Sequence, residues 1–139
     1  MKKLSVTLAV YNEGKFLGRC LDSIKDIADE IVIVDGTSID NTVAIAKKYK
    51  AQVITTTNKT NFHINKKMAN DAASGEWILQ LDADEVVSLE LKKEIKEIIN
   101  SDPAENGFWI PRSNFFLGRF LKKGGTYPDY TMRLYRKGK

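Results

Sequence analysis

The sequence has few of the residues that build disulfide or metal scaffolds. It contains one cysteine, Cys20, and one histidine, His63. A single cysteine excludes an internal disulfide, which fits a reducing cytoplasm. Cys20 falls on the apolar side of a predicted helix, so we expect it in the core rather than as a nucleophile. His63 lies in a predicted polar loop with no second histidine or cysteine nearby, so we expect an ordinary surface residue.

Long apolar runs, repeats and common phosphate motifs are also absent. The run from Leu4 to Val10 is too short for a signal peptide or a membrane span. With 139 residues and no internal repeat, we expect one domain with a real core. The sequence has neither G-x-G-x-x-G nor G-x-x-x-x-G-K-[ST]. A dinucleotide fold of the usual type and a phosphate-loop NTPase therefore have little support.

Positive charge is concentrated toward the C-terminal end. From Phe108 onward there are eight lysines and arginines and one acid, Asp129, so this part carries about +7 and the rest about −3. Such a tail suits phosphates, an anionic membrane surface or nucleic acid. The alternative is a solvated basic surface.

Apolar periodicity predicts an α/β fold over the first hundred residues. Short bulky or β-branched runs indicate four strands, and helical spacing of apolar residues follows each of them. This order implies a parallel sheet with helices on both faces. Two more strands follow, separated by an aromatic and basic loop or short hairpin at residues 114–129. The predicted strands are residues 4–10, 31–34, 52–55, 77–81, 108–111 and 132–136, and the predicted helices cover about 16–27, 40–49, 64–73 and 89–99.

The fourth predicted strand ends abruptly in three carboxylates, Asp82, Asp84 and Glu85. Ligands bind open α/β sheets at the carboxyl ends of strands. Asp82 and Asp84 share a side if the extended conformation continues, and two such carboxylates repel each other unless a cation lies between them. Oxygen ligands suit Mg²⁺ or Mn²⁺. The alternative is a solvated turn that opens a helix.

Three polar loops are expected to converge on one crevice, because they follow strands of one parallel sheet. They are residues 11–13, 35–40 and 82–85. Such a crevice suits a nucleotide diphosphate. The aromatic residue of the first loop, Tyr11, can stack on the base. An acid can accept a hydrogen bond from the base or the ribose, and a cation can bridge the phosphates.

Three segments, at residues 6–13, 33–42 and 73–85, resemble in order and spacing the family 2 inverting glycosyltransferases of GT-A fold. The resemblance extends over nearly the whole chain, and residues 111–119 and 124–130 are further similar to the branch that adds sugars to the lipopolysaccharide inner core. It implies a metal-dependent enzyme with a mostly parallel GT-A sheet. The enzyme would move a sugar from a nucleotide-diphosphate sugar, usually UDP-linked, to a hydroxyl of a glycan or glycolipid with inversion.

The resemblance also implies a role for individual residues. Asp84 would hold Mn²⁺ or Mg²⁺ on the diphosphate of the donor. Asp129 is the only acid after Glu105, so it is the candidate base that deprotonates the acceptor hydroxyl. The implied nucleotide-binding residues are Ala9, Tyr11 and Glu13 in the nucleoside pocket, Asp35 on the base, Lys66 where an arginine is common, and Asp82 on the ribose.

We expect residues 1–139 to form one transferase domain, in which 1–103 bind the nucleotide and 104–139 form the acceptor side. The chain is shorter than typical members, so we expect either a fragment or a minimal version. We expect it in the cytoplasm, with peripheral contact at the inner face of the cell membrane as a hypothesis from charge.

Three alternatives remain open. They are a sugar-phosphate nucleotidyltransferase, a donor-binding module without turnover, and a basic tail that binds nucleic acid. Pyrophosphate release, binding without turnover and a steep salt dependence would distinguish them. We expect no nucleic-acid partner, because that alternative leaves the acidic crevice unexplained.

Overall fold

The computed structural model describes residues 3–57, 61–113, 116–117, 122–123 and 130–138, and within these the predicted order of strands and helices is confirmed. In chain order the strands are β1 (Leu4–Val10), β2 (Glu30–Asp35), β3 (Gln52–Thr55), β4 (Trp77–Gln80), β5 (Val86–Val87), β6 (Gly107–Ser113), β7 (Phe116–Leu117), β8 (Lys122–Lys123) and β9 (Tyr130–Arg136). The helices are α1 (Leu17–Asp22), α2 (Thr42–Lys48), α3 (Phe62–Ala72) and α4 (Leu89–Ser101).

The sheet is parallel in its first half and mixed in its second. The strand order is β3-β2-β1-β4-β9-β6-β7-β5, with β8 paired to β6. Strands β1 to β4 pair in parallel, whereas β9 runs antiparallel to both β4 and β6. The mostly parallel α/β prediction is confirmed. The last strand is inserted into the middle of the sheet rather than added at an edge.

Helices cover both faces of the sheet, as the continuous apolar strands predict. In β2, Ile31 and Ile33 belong to the large cluster beneath α1, α2 and α4. Val32 and Val34 belong to the smaller cluster beneath α3. Cys20 is fully buried in the larger cluster, which confirms its expected core position. No helix in the described part of the chain has both the length and the apolar character needed to cross a bilayer.

Two helices differ from their predicted lengths for local reasons. Helix α1 ends at Asp22, because the Ser23 hydroxyl donates to the Cys20 carbonyl (2.6 Å) and the backbone continues in tight turns that still bury Ile24 and Ile27. Helix α3 begins earlier than predicted, because the Asn61 side chain accepts from the backbone N–H of Ile64 (3.2 Å). His63 is therefore helical rather than in a loop, but it is exposed as expected.

Candidate functional site

An open cavity of about 290 Å³ lies where β1 and β4 end, at the carboxyl edge of the parallel strands. It brings together predicted site residues from three separate segments of the chain. The sequence predicts the types of these residues and the loops that carry them, but not the shape of the cavity. Its lining residues are Ala9 and Glu13 from β1 and its loop, Phe62 and Lys66 from α3, and Asp82, Ala83 and Asp84 from the loop after β4. Phe62 was not predicted.

The two aspartates lie in a turn rather than in a continued strand. Strand β4 ends at Gln80, and the backbone N–H of Glu85 donates to the Asp82 carbonyl (3.0 Å). The chain leaves the sheet here, so the pleat does not set the relative direction of Asp82 and Asp84. Lys66 Nζ is 3.1 Å from Asp82 Oδ1 and partly offsets its charge.

Glu85 and Arg133 form a buried ion pair beside Asp82, one of the residues that line the cavity. Arg133 Nη1 and Nη2 donate to Glu85 Oε1 and Oε2, each at 2.9 Å. The two side chains are 6% and 0% exposed. From the sequence alone, Glu85 is one of three acids after the fourth strand, and Arg133 has no predicted role in the site. An arginine between apolar Met132 and Leu134 in a predicted strand was the available signal, because a buried arginine needs an acidic partner.

The cavity is electrostatically negative around Glu13. Burial raises the pKa of Glu13, and the negative charges of Asp84, Asp40 and Asp82 raise it further. The three aspartates are therefore close enough to disfavour the ionised form of Glu13. A cation in this cavity would relieve that repulsion.

The donor set fits a hard divalent cation that also binds a phosphate. It consists of carboxylate oxygens, with no cysteine or histidine in the cavity lining. Among the described residues no group of three His, Cys, Asp or Glu side chains is arranged to hold an ion by itself. This arrangement suits Mg²⁺ or Mn²⁺ held by one or two carboxylates together with ligand phosphates.

The loop after β2 is joined to the loop after β1. Asp35 is 2% exposed and accepts from the backbone N–H (3.0 Å) and hydroxyl (2.5 Å) of Ser38. Ser38 Oγ in turn accepts from the backbone N–H of Asn12 (2.8 Å), and Asn12 Oδ1 accepts from that of Ile39 (2.9 Å). Asp40 accepts from the backbone N–H of Thr42 (2.9 Å), the first residue of α2, whose N-cap residue is Asn41.

Two of the predicted nucleotide-binding residues do not line the cavity. Asp35 and Tyr11 are not among the lining residues, although their loops border the same sheet edge. Asp129, the candidate base, lies outside the described residues.

This sheet, with its acidic cavity at the carboxyl edge, has the GT-A glycosyltransferase fold. The fold is shared with the crystal structure of residues 1–349 of Staphylococcus aureus TarS, at a TM-score of 0.75 and 23% identity, over 97% of this chain and 47% of that chain. The profile of glycosyl transferase family 2 matches residues 5–138, and the chain belongs to that family. The predicted family and fold are confirmed, whereas the inner-core branch stays a prediction.

Other relatives agree with this assignment. An uncharacterized glycosyltransferase of Rickettsia prowazekii is 40% identical over 101 residues, which are 73% of this chain and 34% of the relative. The chain thus spans about a third of the length of the curated relatives it matches. TarS 1–349 in complex with UDP matches at 28% identity and a TM-score of 0.63, over 71% of this chain and 32% of that chain. The mannosyltransferase PcManGT of Pyrobaculum calidifontis, in complex with GDP-Man and Mn²⁺, shares the fold at 22% identity and a TM-score of 0.64. The match covers 80% of this chain and 36% of that chain.

Proposed function

We propose that this chain is the donor-binding and catalytic domain of a glycosyltransferase that uses a nucleotide-diphosphate sugar. The observation that carries the proposal is the cavity in which Asp82, Asp84 and Glu13 meet Lys66 at the carboxyl edge of β1 and β4. A site with several acids and a lysine suits a diphosphate with its counter-cation. UDP is the preferred nucleotide, because the TarS structure with UDP is similar to this chain at 28% identity.

The donor would lie with its nucleoside toward the loops after β1 and β2. Ala9, Tyr11 and Glu13 would line the nucleoside pocket, and Asp35 would accept from the base. Asp82 would accept from the ribose, since Lys66 holds one of its oxygens and fixes the carboxylate. Lys66 also lies close enough to the cavity to offset phosphate charge.

Asp84, the second aspartate of a D-x-D motif, would hold Mn²⁺ or Mg²⁺. When bound, the ion acts as a Lewis acid that stabilises the leaving diphosphate. Asp84 would fix the position of the ion, and Glu13 would lie within its electrostatic reach, because the charge of Asp84 already raises the pKa of Glu13.

On the acceptor side we propose transfer to a hydroxyl of a cell-envelope glycan or glycolipid, with inversion. Inversion requires a base opposite the leaving group, and Asp129 is the candidate. The basic C-terminal part would bind a phosphorylated acceptor of the lipopolysaccharide inner-core type at the cytoplasmic membrane face. Residues 1–103 would supply most donor contacts, and residues 104–139 the acceptor side.

Calorimetric titration with UDP and UDP-glucose, with and without Mn²⁺, tests the donor site. We expect metal-dependent binding to the wild type and a loss of at least about tenfold in Asp84→Ala. The matched control is Asp71→Ala, which removes an exposed aspartate paired with Lys67 on the outer side of α3. Absence of binding by the wild type to UDP-, ADP- and GDP-sugars would contradict the proposal. Pyrophosphate release would instead indicate a nucleotidyltransferase, and binding without transfer a donor-binding module.

A further inference from the structure

We propose that Arg133 and Glu85 are positioning residues of the donor site, so that strand β9 completes this site from within the sheet. The inference rests on the proposed donor site and deepens it. It gives a donor-side role to a residue of the segment 104–139, which is predicted to form the acceptor side.

The sheet register brings Arg133 to the end of β4. Strand β9 runs antiparallel to β4, with Leu134 opposite Leu79. Arg133 therefore lies beside Gln80, the last residue of β4, and its Nη1 is 3.3 Å from the Gln80 carbonyl. This is the point where the chain leaves the sheet and turns toward Asp82.

The guanidinium holds Glu85 in one orientation. Two parallel contacts of 2.9 Å join Nη1 and Nη2 to the two carboxylate oxygens. Such fork-to-fork geometry fixes the plane of both groups, and a lysine, which has a single ammonium, cannot reproduce it. Both side chains are buried, so water does not compete for these contacts.

Glu85 and Arg133 then fix both the backbone and the side chain of Asp82. Glu85 Oε1 accepts from the backbone N–H of Asp82 (2.7 Å). Arg133 Nη2 lies 3.5 Å from Asp82 Oδ2, and Lys66 Nζ lies 3.1 Å from Oδ1. The Asp82 carboxylate is thus held from two sides, and Asp84 follows in the same turn.

Strand β9 carries a second ion-paired arginine, Arg136, at its C-terminal end. Arg136 Nη2 contacts Asp102 (3.1 Å), and its guanidinium lies 4.4 Å from the Trp77 ring centre. None of these residues lines the cavity. Arg136 is therefore a matched control, because it is also a β9 arginine in an ion pair.

The primary variant is Arg133→Lys, which keeps the charge and removes the fork. Two readouts are used: the affinity for UDP with Mn²⁺ by calorimetry, and the hydrogen-exchange rate of the Asp82 amide in the ligand-free protein by NMR. We expect affinity to fall by about tenfold or more and the Asp82 amide to exchange faster, in a protein that still melts cooperatively. Arg136→Met should leave both readouts at the wild-type values.

The second variant, Arg133→Met with Glu85→Met, keeps the test decisive if the lysine variant does not fold. Replacing both buried charges with apolar side chains of similar length often preserves the fold. A folded variant of either kind with wild-type UDP affinity overturns the inference. An equal loss in Arg136→Met also overturns it, since the effect then follows general stability. If the wild type binds no nucleotide, the proposed function fails. If the Asp82 amide exchanges at the wild-type rate in Arg133→Lys, the positioning role is refuted, whatever the nucleotide affinity.

Discussion

Glu13 is the residue at which the electrostatics of the cavity can be measured. Burial and the neighbouring charges of Asp84, Asp40 and Asp82 raise its pKa in the folded protein. The folded state therefore favours the protonated form. Protonated Glu13 therefore contributes its full share of stability at pH values below its ordinary pKa, which is its pKa in the unfolded chain. This contribution is lost as the pH rises through the higher pKa that Glu13 has in the folded protein.

We therefore expect Glu13→Gln, which is neutral at every pH, to raise the melting temperature near pH 7 in buffer containing EDTA. Near pH 4 the variant and the wild type should melt at similar temperatures. Thermal melts at both pH values measure this. Glu97→Gln is the control, because Glu97 is exposed on α4. A lower melting temperature for Glu13→Gln near pH 7 would contradict the expected repulsion.

The sequence predicts only some of the residues in and beside the cavity. Asp82 and Asp84 could be predicted because they follow a buried strand directly, and residue type and position are local information. The partnership of Glu85 with Arg133 spans 48 positions and depends on strand pairing, so spacing could not reveal it. Phe62 was missed because it lies at the start of a helix whose beginning was placed too late.

At the scale of elements, the junction between α3 and β4 requires a glycine. A Cβ at Gly75 would lie 2.5 Å from Ser5 Oγ and 2.9 Å from the Ser5 backbone nitrogen. Ser5 Oγ accepts from the Gly75 N–H (2.8 Å) and donates to Glu30 Oε1 (2.7 Å), so it cannot move without breaking these bonds.

We expect Gly75→Ala to lower the free energy of unfolding by about 1–3 kcal/mol through overpacking. Urea unfolding measures the change. The matched variant is Gly18→Ala in α1, where a new Cβ would lie 3.9 Å from Ile45 Cγ2, an ordinary van der Waals distance. It should raise the free energy of unfolding by about 0.5–1 kcal/mol, because alanine favours a helix. Changes of the same sign in both variants would refute the steric explanation.

Elements with a local pattern were predicted well. Strand β2 is a continuous β-branched run because both of its faces are covered by helices. The two-residue strand β5 has no such pattern and was not predicted. The insertion of β9 between β4 and β6 was not predicted either, because β9 carries no local signal of its neighbours.

At the scale of the whole molecule, charge is divided between an acidic cavity and a basic C-terminal part. In the proposed function, this division would allow a metal-bound donor and an anionic acceptor to be bound mainly by different parts of one domain. The predicted membrane contact follows from the basic part alone.

We expect the protein to sediment with vesicles of anionic phospholipid at low ionic strength. Binding should weaken strongly at 1 M salt, where the screening length falls to about 3 Å. Vesicles of neutral phosphatidylcholine are the control. Equal binding to neutral vesicles, or none to anionic vesicles at low salt, would remove the basis for peripheral attachment.

The internal position of β9 also has a consequence for biosynthesis. Strand β4 leaves the ribosome well before β9, so one edge of β4 has no β9 to pair with while translation proceeds at about 5–20 residues per second. Unpaired strand edges attract other chains. The nascent polypeptide therefore exposes an unpaired, aggregation-prone edge of β4 until β9 emerges. We expect chaperones to bind the nascent chain most in the interval between the emergence of β4 and that of β9.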